Sequence, residues 1–352
     1  MNNNGVNDIT EQQKASFKSR VIVAIILILL LVPAFILGGW VFFVAIAVFV
    51  GFSVYEMIHA PRKKYPHYIQ AITYIIVFAY VYWFVVKSNV RAYIDQGSSY
   101  SFSLENYYSS LYVSIIGIAV SLGLYSLFAI VDPRFSWNDV TYFFTFTLIL
   151  GIGFQAFFFC RYYPFYLFGY NDNFKSTVWY LGVTGSEMVS DPLKYTGFSL
   201  WGSSSLLFFV LLGTCVNDSG AYLFGSLFGK HHMNERISPH KTWEGFFSGW
   251  ACGAIACLVF GLVLAGTGYP MLPTLTLSSW YWIVILSLTV PLISDFGDLT
   301  FSLIKRNYGI KDYGSILKGH GGMVDRVGSA FFTCMYVAIM AIFITNGWNF
   351  FL

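Results

Sequence analysis

Two stretches bring cations, carboxylates and glycines together in a chain otherwise poor in charge. Residues 302–328 read SLIKRNYGIKDYGSILKGHGGMVDRVG, with Lys305, Arg306, Lys311, Lys318, His320 and Arg326 beside Asp312 and Asp325, and Asp298 just upstream. Lysine and arginine neutralise phosphoryl oxygens, and aspartate oxygens are the hard ligands that Mg2+ prefers. This density therefore suits a phosphate-bearing substrate plus a divalent metal. Gly319, Gly321 and Gly322 flank His320, where glycine lets backbone N–H groups approach an anion unhindered. A basic juxtamembrane loop touching anionic lipid heads would share the cations. It would need neither the glycines nor the histidine, nor a carboxylate such as Asp298 at the end of an apolar run, where an unpaired charge is costly.

Residues 217–245 read NDSGAYLFGSLFGKHHMNERISPHKTWEG. Asp218 follows directly on an apolar run, and Lys230, Glu235, Arg236, Lys241 and Glu244 come after it. No Gly-Lys-Ser/Thr stands at P-loop spacing from Gly220 or Gly225, which argues against a Walker-type ATPase. His231, His232 and His240 have no helical His-pair spacing and read as solvated loop residues. The cysteines at 160, 215, 252, 257 and 334 form no CxxC pair and read as small buried hydrophobes, without a disulfide or zinc framework. Glu56 closes the second apolar run and reads as a helix-end carboxylate rather than a cavity residue. Pro33 and Pro291 interrupt apolar helices as kinks.

The elements that must position these residues are apolar helices. Of 352 residues, 57% are hydrophobic, 20% aromatic and only 11% charged, with a formal net charge of +3. That composition excludes a soluble globular domain, a disordered chain and a nucleic-acid binder. A spanning helix takes about 20 mostly apolar residues. Such runs lie at about 21–37, 40–58, 69–86, 111–131, 140–159, 203–217, 246–266, 280–299 and 329–347, predicting an all-α polytopic membrane protein of nine spans. The first run lacks a small-residue cleavage site and reads as a retained helix. Residues 219–229 (SGAYLFGSLFG) are apolar but short and glycine-rich, predicting a re-entrant or half-helix, with a tenth span the alternative.

With the N-terminus inside, the outer segments hold only Lys87, Arg91, Arg161, Lys175 and Lys194 of the 20 basic residues. The positive-inside rule is then satisfied, the C-terminus lies outside, and the charged loops 217–245 and 295–328 both face the cytoplasm. Residues 1–200 form an N-terminal set of helices with outer loops, and 201–352 a C-terminal region carrying both loops. No internal repeat is visible.

Residues 302–328 resemble the signature of phosphatidate cytidylyltransferases, or CDP-diacylglycerol synthases. That signature runs S-x-aliphatic-K-R, four residues, K-D, a small residue two later, then H-G-G-x-x-D-R-x-D. Ser302, Lys305, Arg306, Lys311, Asp312, Gly314, His320, Gly321, Gly322, Asp325 and Arg326 fall in register. The earlier stretch resembles the family's D-S-G-A-Y…G-K…S-P-x-K-T-W-E-G block at Asp218, Ser219, Ala221, Tyr222, Gly229, Lys230, Ser238, Pro239, Lys241, Thr242, Trp243, Glu244 and Gly245. A GDL at 297–299 fits as well. The match covers roughly the C-terminal third of the chain. Two positions depart from it. Lys318 replaces the usual Pro or Gly, and Gly328 stands where the D-R-x-D element ends in Asp. If that aspartate holds metal in the family, this chain lacks one ligand. The expectation is that Asp295, where the family often has Gln, partly compensates.

The resemblance implies transfer of CMP from CTP to phosphatidate, giving CDP-diacylglycerol and pyrophosphate in phospholipid biosynthesis. It implies Asp298 and Asp325, with Asp295 as a further candidate, as ligands of Mg2+ or Mn2+, and admits a monovalent cation as a second cofactor. Lys241, Lys305, Arg306 and Arg326 would neutralise the triphosphate and the lipid head group. His320, with the backbone of Gly321 and Gly322, would contact a phosphate, and Asp218, Ser238, Lys311 and Asp312 would serve substrate binding. A homodimer is also implied, while the inside N-terminus and basic cytoplasmic face suit a bacterial-type plasma membrane, with a eukaryotic organelle the alternative. A CTP-dependent polyprenol-type lipid kinase would release CDP instead. A transporter using Asp218 and Asp298 would show inverted repeats and broken helices. Gly328 also raises the reading of a paralogue that binds nucleotide without turnover.

Overall fold

The computed structural model describes residues 29, 32–34, 39–87, 104–170, 198–234, 236–314 and 321–347. Most of the first apolar run, most of the outer loop at 160–202, Glu235, Lys318 and His320 lie outside the described residues. The others build eight long helices: α1 Gly39–His59, α2 His67–Lys87, α3 Leu104–Val131, α4 Trp137–Tyr170, α5 Phe198–Phe228, α6 Trp243–Gly266, α7 Trp280–Asn307 and α8 Val324–Asn346.

Apolar side chains cover both faces of these helices. In α1, Phe42, Ile46, Phe49 and Val50 are buried, while Val41, Val44, Val48 and Phe52 point outward at helical spacing. An outer face of valine and phenylalanine suits lipid and not water. Six segments among the described residues are long and apolar enough to cross a membrane: Val41–His59, Trp137–Arg161, Ser204–Phe228, Trp243–Gly266, Leu277–Asn307 and Val324–Asn346. The predicted runs in α2 and α3 are present as helices, with shorter described apolar parts, His67–Tyr82 and Ile116–Val131.

Helix α4 is the hub, packing against α1, α2, α3, α5 and α8. Gly153 lets it meet α8 closely, because a Cβ there would stand 2.6 Å from the Phe331 ring. Phe146, Phe154, Phe301 and Phe331 belong to one continuous core with residues from both halves of the chain.

Three expectations are corrected. Residues 219–228 form no half-helix, because α5 runs unbroken to Phe228. Its glycines serve packing, together with those of α6: a Cβ at Gly220 would lie 3.0 Å from Cys252 and one at Gly225 3.3 Å from Gly245, while a Cβ at Gly249 of α6 would lie 2.7 Å from the Asn217 carbonyl. The two backbones can therefore run in close contact, and a helix held along its length has no reason to break. Secondly, the predicted loop 217–245 shrinks to an antiparallel hairpin, β1 His232–Asn234 and β2 Ser238–Thr242, a small exception to the all-α expectation. Asn234 Oδ1 closes its turn by accepting from the Arg236 and Ile237 amides at 3.1 and 3.2 Å. Thr242 then caps α6 by accepting from the Gly245 amide at 3.2 Å. Thirdly, the predicted loop 295–328 is helical at both ends. Asp295, Asp298, Lys305 and Arg306 sit on α7, and Asp325 and Arg326 in the first turn of α8. Both α5 and α7 pass Asp218 and Asp298 without interruption, unlike the broken helices of transporter ion sites.

The connections after α1, α3, α5 and α7 meet at one end of the bundle. Lys63 after α1 bonds Asp139 at the start of α4 at 2.8 Å, and Tyr142 of α4 donates to the Met57 carbonyl of α1 at 3.0 Å. Arg134 after α3 pairs with Asp132 at 2.9 Å, and its guanidinium holds that carboxyl well below its ordinary range. Lys241, Lys305, Arg306 and Arg326 gather at the same end.

Candidate active site

On α7, Asp295, Asp298 and Lys305 recur at helical spacing and share one side of the helix. The hairpin swings Lys241 over that side. Its Nζ lies 2.6 Å from Asp298 Oδ2 and 4.0 Å from Asp295 Oδ1. Asp218 of α5 feels the charges of Asp298, Asp295, Lys241 and Arg326. Beneath them, Asp295 is buried beside the buried side chains of Asn217 and Ser294, and Asn217 supports its carboxylate. A carboxylate at this depth is costly unless polar groups surround it, and Asn217, Ser294 and Lys241 are the ones nearby.

The second cluster forms around Asp325. Its Oδ1 accepts from Lys305 Nζ at 2.8 Å, and its Oδ2 from the amides of Tyr313 and Gly322 at 2.9 and 3.0 Å. Gly321 supplies the backbone reversal, at a φ of +82° that favours glycine. A Cβ on it would lie 3.2 Å from Asp325 Oδ2 and 3.5 Å from Asp312 Oδ1. The Gly322 N–H is thus directed at Asp325 and not toward open space. Tyr313 is buried, which pushes its phenol far above the ordinary value, so it stays protonated and donates to the Phe301 carbonyl at 3.2 Å.

The remaining expected residues divide. Arg306 donates from Nε to the Ile237 carbonyl at 3.0 Å and from Nη1 to that of Ile310 at 3.2 Å, stitching the hairpin to the segment after α7. Ser238 opens β2 opposite Asn234. Lys311 and Asp312 are exposed beside the Asp325 cluster. Gly328 packs on Phe301, since a Cβ there would stand 2.6 Å from the ring. The bulk that an aspartate would bring is excluded by that ring, whereas Asp295 lies with Asp298 against Lys241. An open groove of about 660 Å³, lined by Asn138, Tyr142, Phe146, Ile304 and Tyr308 among others, faces a different side of α7 and includes none of the motif carboxylates.

Sequence reasoning underrated Glu56. It is 1% exposed, and its Oε1 and Oε2 accept from the amides of Met323 and Val324 at 2.7 and 2.9 Å. Only its place at an apolar helix end hinted at this, because its partners lie 267 and 268 residues away.

A divalent metal fits these donors in chemistry more than in number. The oxygens are hard and carboxylate-rich, but no three metal-binding side chains form a ligand group among the described residues. Mg2+ is commonly held by one or two carboxylates, with water and substrate phosphates completing the shell, so Asp298 with its neighbours is an adequate protein share.

The cytidylyltransferase family profile matches residues 18–344. A protein named phosphatidate cytidylyltransferase from Staphylococcus epidermidis is 30% identical over 225 residues, 64% of this chain and 68% of the relative. Proteins of the same name from Mycobacterium leprae and Staphylococcus saprophyticus are 39% identical over 121 residues and 36% over 136. These cover 34% and 39% of this chain, and 35% and 48% of the respective relatives.

Proposed function

The chain belongs to the cytidylyltransferase family, and from that premise we propose how its site joins CTP to phosphatidate. It is a membrane nucleotidyltransferase of phospholipid biosynthesis that forms CDP-diacylglycerol and pyrophosphate. An oxygen of the phosphatidate monoester attacks the α-phosphorus of CTP. A new P–O–P bond forms, the bond from the α-phosphorus to the bridging oxygen breaks, and pyrophosphate leaves with that electron pair. No general base is required, because the attacking phosphate is already ionised at neutral pH. Positioning and charge neutralisation carry such a transfer.

One observation carries this reading. Two motif stretches far apart in sequence meet in the Lys241–Asp298 pair and in the bond from Arg306 to the Ile237 carbonyl, beside the Lys305–Asp325 pair, at one end of an apolar bundle. Lys241, Lys305 and Arg326 neutralise phosphates of the two substrates, with His320, Gly321, Lys311 and Asp312 contributing from the adjoining segment. Asp298 and Asp325, with Asp295 as a further candidate, would hold Mg2+ or Mn2+. When bound, the cation neutralises the triphosphate. Lys241 and Lys305 stand beside Asp298 and Asp325, where they would neutralise the phosphates. Asp218 is a further polar anchor, and a monovalent cation would suit the buried oxygens around Asp295 and Asn217. The site end, dense in arginine and lysine, faces the cytoplasm of a plasma membrane in which the chain works as a homodimer, with nine spans in all.

Incubating purified protein with radiolabelled CTP, phosphatidate and Mg2+, followed by thin-layer separation, is expected to give labelled CDP-diacylglycerol. Release of CDP without that lipid product would point to a kinase and overturn the reading.

A further inference from the structure

A buried carboxylate on a lipid-facing helix is costly unless each oxygen is satisfied. Glu56 is the one acidic residue of α1, and both its oxygens reach across the molecule to the start of α8. The amides of Met323 and Val324 have no partner within α8, as the first amides of any helix have none, and the helix dipole favours a negative charge there. Space has been cleared for the contact. A Cβ on Gly314 would stand 2.5 Å from Glu56 Oε1, and one on Gly322 would stand 2.5 Å from Oε2. Three successive amides are thereby shared between two carboxylates: Gly322 with Asp325, and Met323 and Val324 with Glu56.

We infer that Glu56 is a positioning residue for the reaction. It clamps the backbone from which Asp325 and Arg326 project, and so sets where these two stand relative to Lys305 on α7. The inference rests on the proposed reaction for its kinetic readout, and on the hydrogen-bond geometry alone for its structural one. Glu56→Gln keeps the shape but turns an N–H donor toward one of the two amides. That loses one hydrogen bond and opposes two donors, which shifts the helix start without emptying the site.

The test uses the full chain in detergent. Glu56→Gln is expected to bind CTP at one per chain with near-native affinity. Its kcat should fall by about tenfold or more while the KM for CTP changes little, the pattern of an interaction used in the transition state. Gly322→Ala, which pushes the carboxylate aside, should give a similar fall. In the Glu56→Ala/Gly322→Ala double variant the two losses should not multiply, because the clash is gone. A kcat for Glu56→Gln within twofold of wild type would overturn the inference. So would a fall in kcat matched by an equal fall in CTP stoichiometry, which reports loss of folded protein only. If Glu56→Gln does not fold, Glu56→Asp, one methylene too short to reach both amides, takes its place in the same measurements. If the wild type makes no CDP-diacylglycerol, the reaction fails and hydrogen exchange decides the inference. Faster exchange at Tyr313 and Gly322 in the Glu56 variant supports it, and unchanged exchange there sinks it.

Discussion

Asp298 and Asp325 are the same residue type, 27 positions apart, yet their surroundings are opposite. Asp298 projects from a continuous helix, 38% exposed, and meets Lys241, which the hairpin brings. Asp325 is 7% exposed and accepts from one lysine and two backbone amides that shape the loop around it. The difference separates two duties within one site. A carboxylate on a rigid helix with an open side is free to exchange its lysine for a metal and phosphates. A carboxylate that organises its own loop can take up a ligand only as part of that loop, and its loss is felt by the fold.

That contrast can be broken or sharpened by substitution, beginning with the largest effect. Asp298→Asn is expected to lower kcat by about a thousandfold or more, as loss of a preorganised charge at the reacting phosphates does. Its melting temperature in detergent should stay near wild type, and a retained rate would remove Asp298 from the chemistry. Asp325→Asn is expected to abolish turnover as well, and in addition to destabilise by about 3 kcal/mol, because the charge that holds Lys305 and the Tyr313 and Gly322 amides is lost. Equal melting curves for the two variants would erase the distinction drawn here.

Restoring the aspartate that the signature carries at position 328 tests what the fold allows. Gly328→Asp should cost about 2–3 kcal/mol through overpacking against Phe301 and should not raise activity. Combined with Phe301→Ala it should be better tolerated than the sum of the two single changes. Lower down, Arg306→Lys removes a two-pronged tie between the hairpin and the segment after α7. A loss of about 1 kcal/mol and a several-fold rise in the KM for CTP are expected, since Lys241 rides on that hairpin. An Arg306→Lys enzyme indistinguishable from wild type would show that the hairpin holds Lys241 unaided.

Much of the site was legible beforehand because phosphate chemistry needs particular residues close together in sequence. Lys305, Arg306, Asp312, Asp325 and Arg326 fall within one signature, and apolar runs marked the eight helices to within a few residues except where they lengthened. The lengthening was hidden by charge. A stretch containing Asp295, Asp298, Lys305 and Arg306 reads as loop, and becomes helix because each charge finds a partner at the bundle end. The glycines at 220, 225 and 229 pointed equally to breakage and to close packing until Gly245 and Gly249 of α6 were set against them.

Composition and local spacing thus settled that the chain lives in a membrane, that its charge gathers in two short stretches, and which chemistry those stretches resemble. Spacing along a chain reports neighbours only within a turn or a strand pair. Which partner each carboxylate takes depends on contacts between residues that no local period relates: Lys241 for Asp298, the Met323 and Val324 amides for Glu56 across more than 260 residues, and the Phe301 ring against Gly328. Packing the helices determines which groups are near one another, and where a charge such as Glu56 is buried it must find its partners among them.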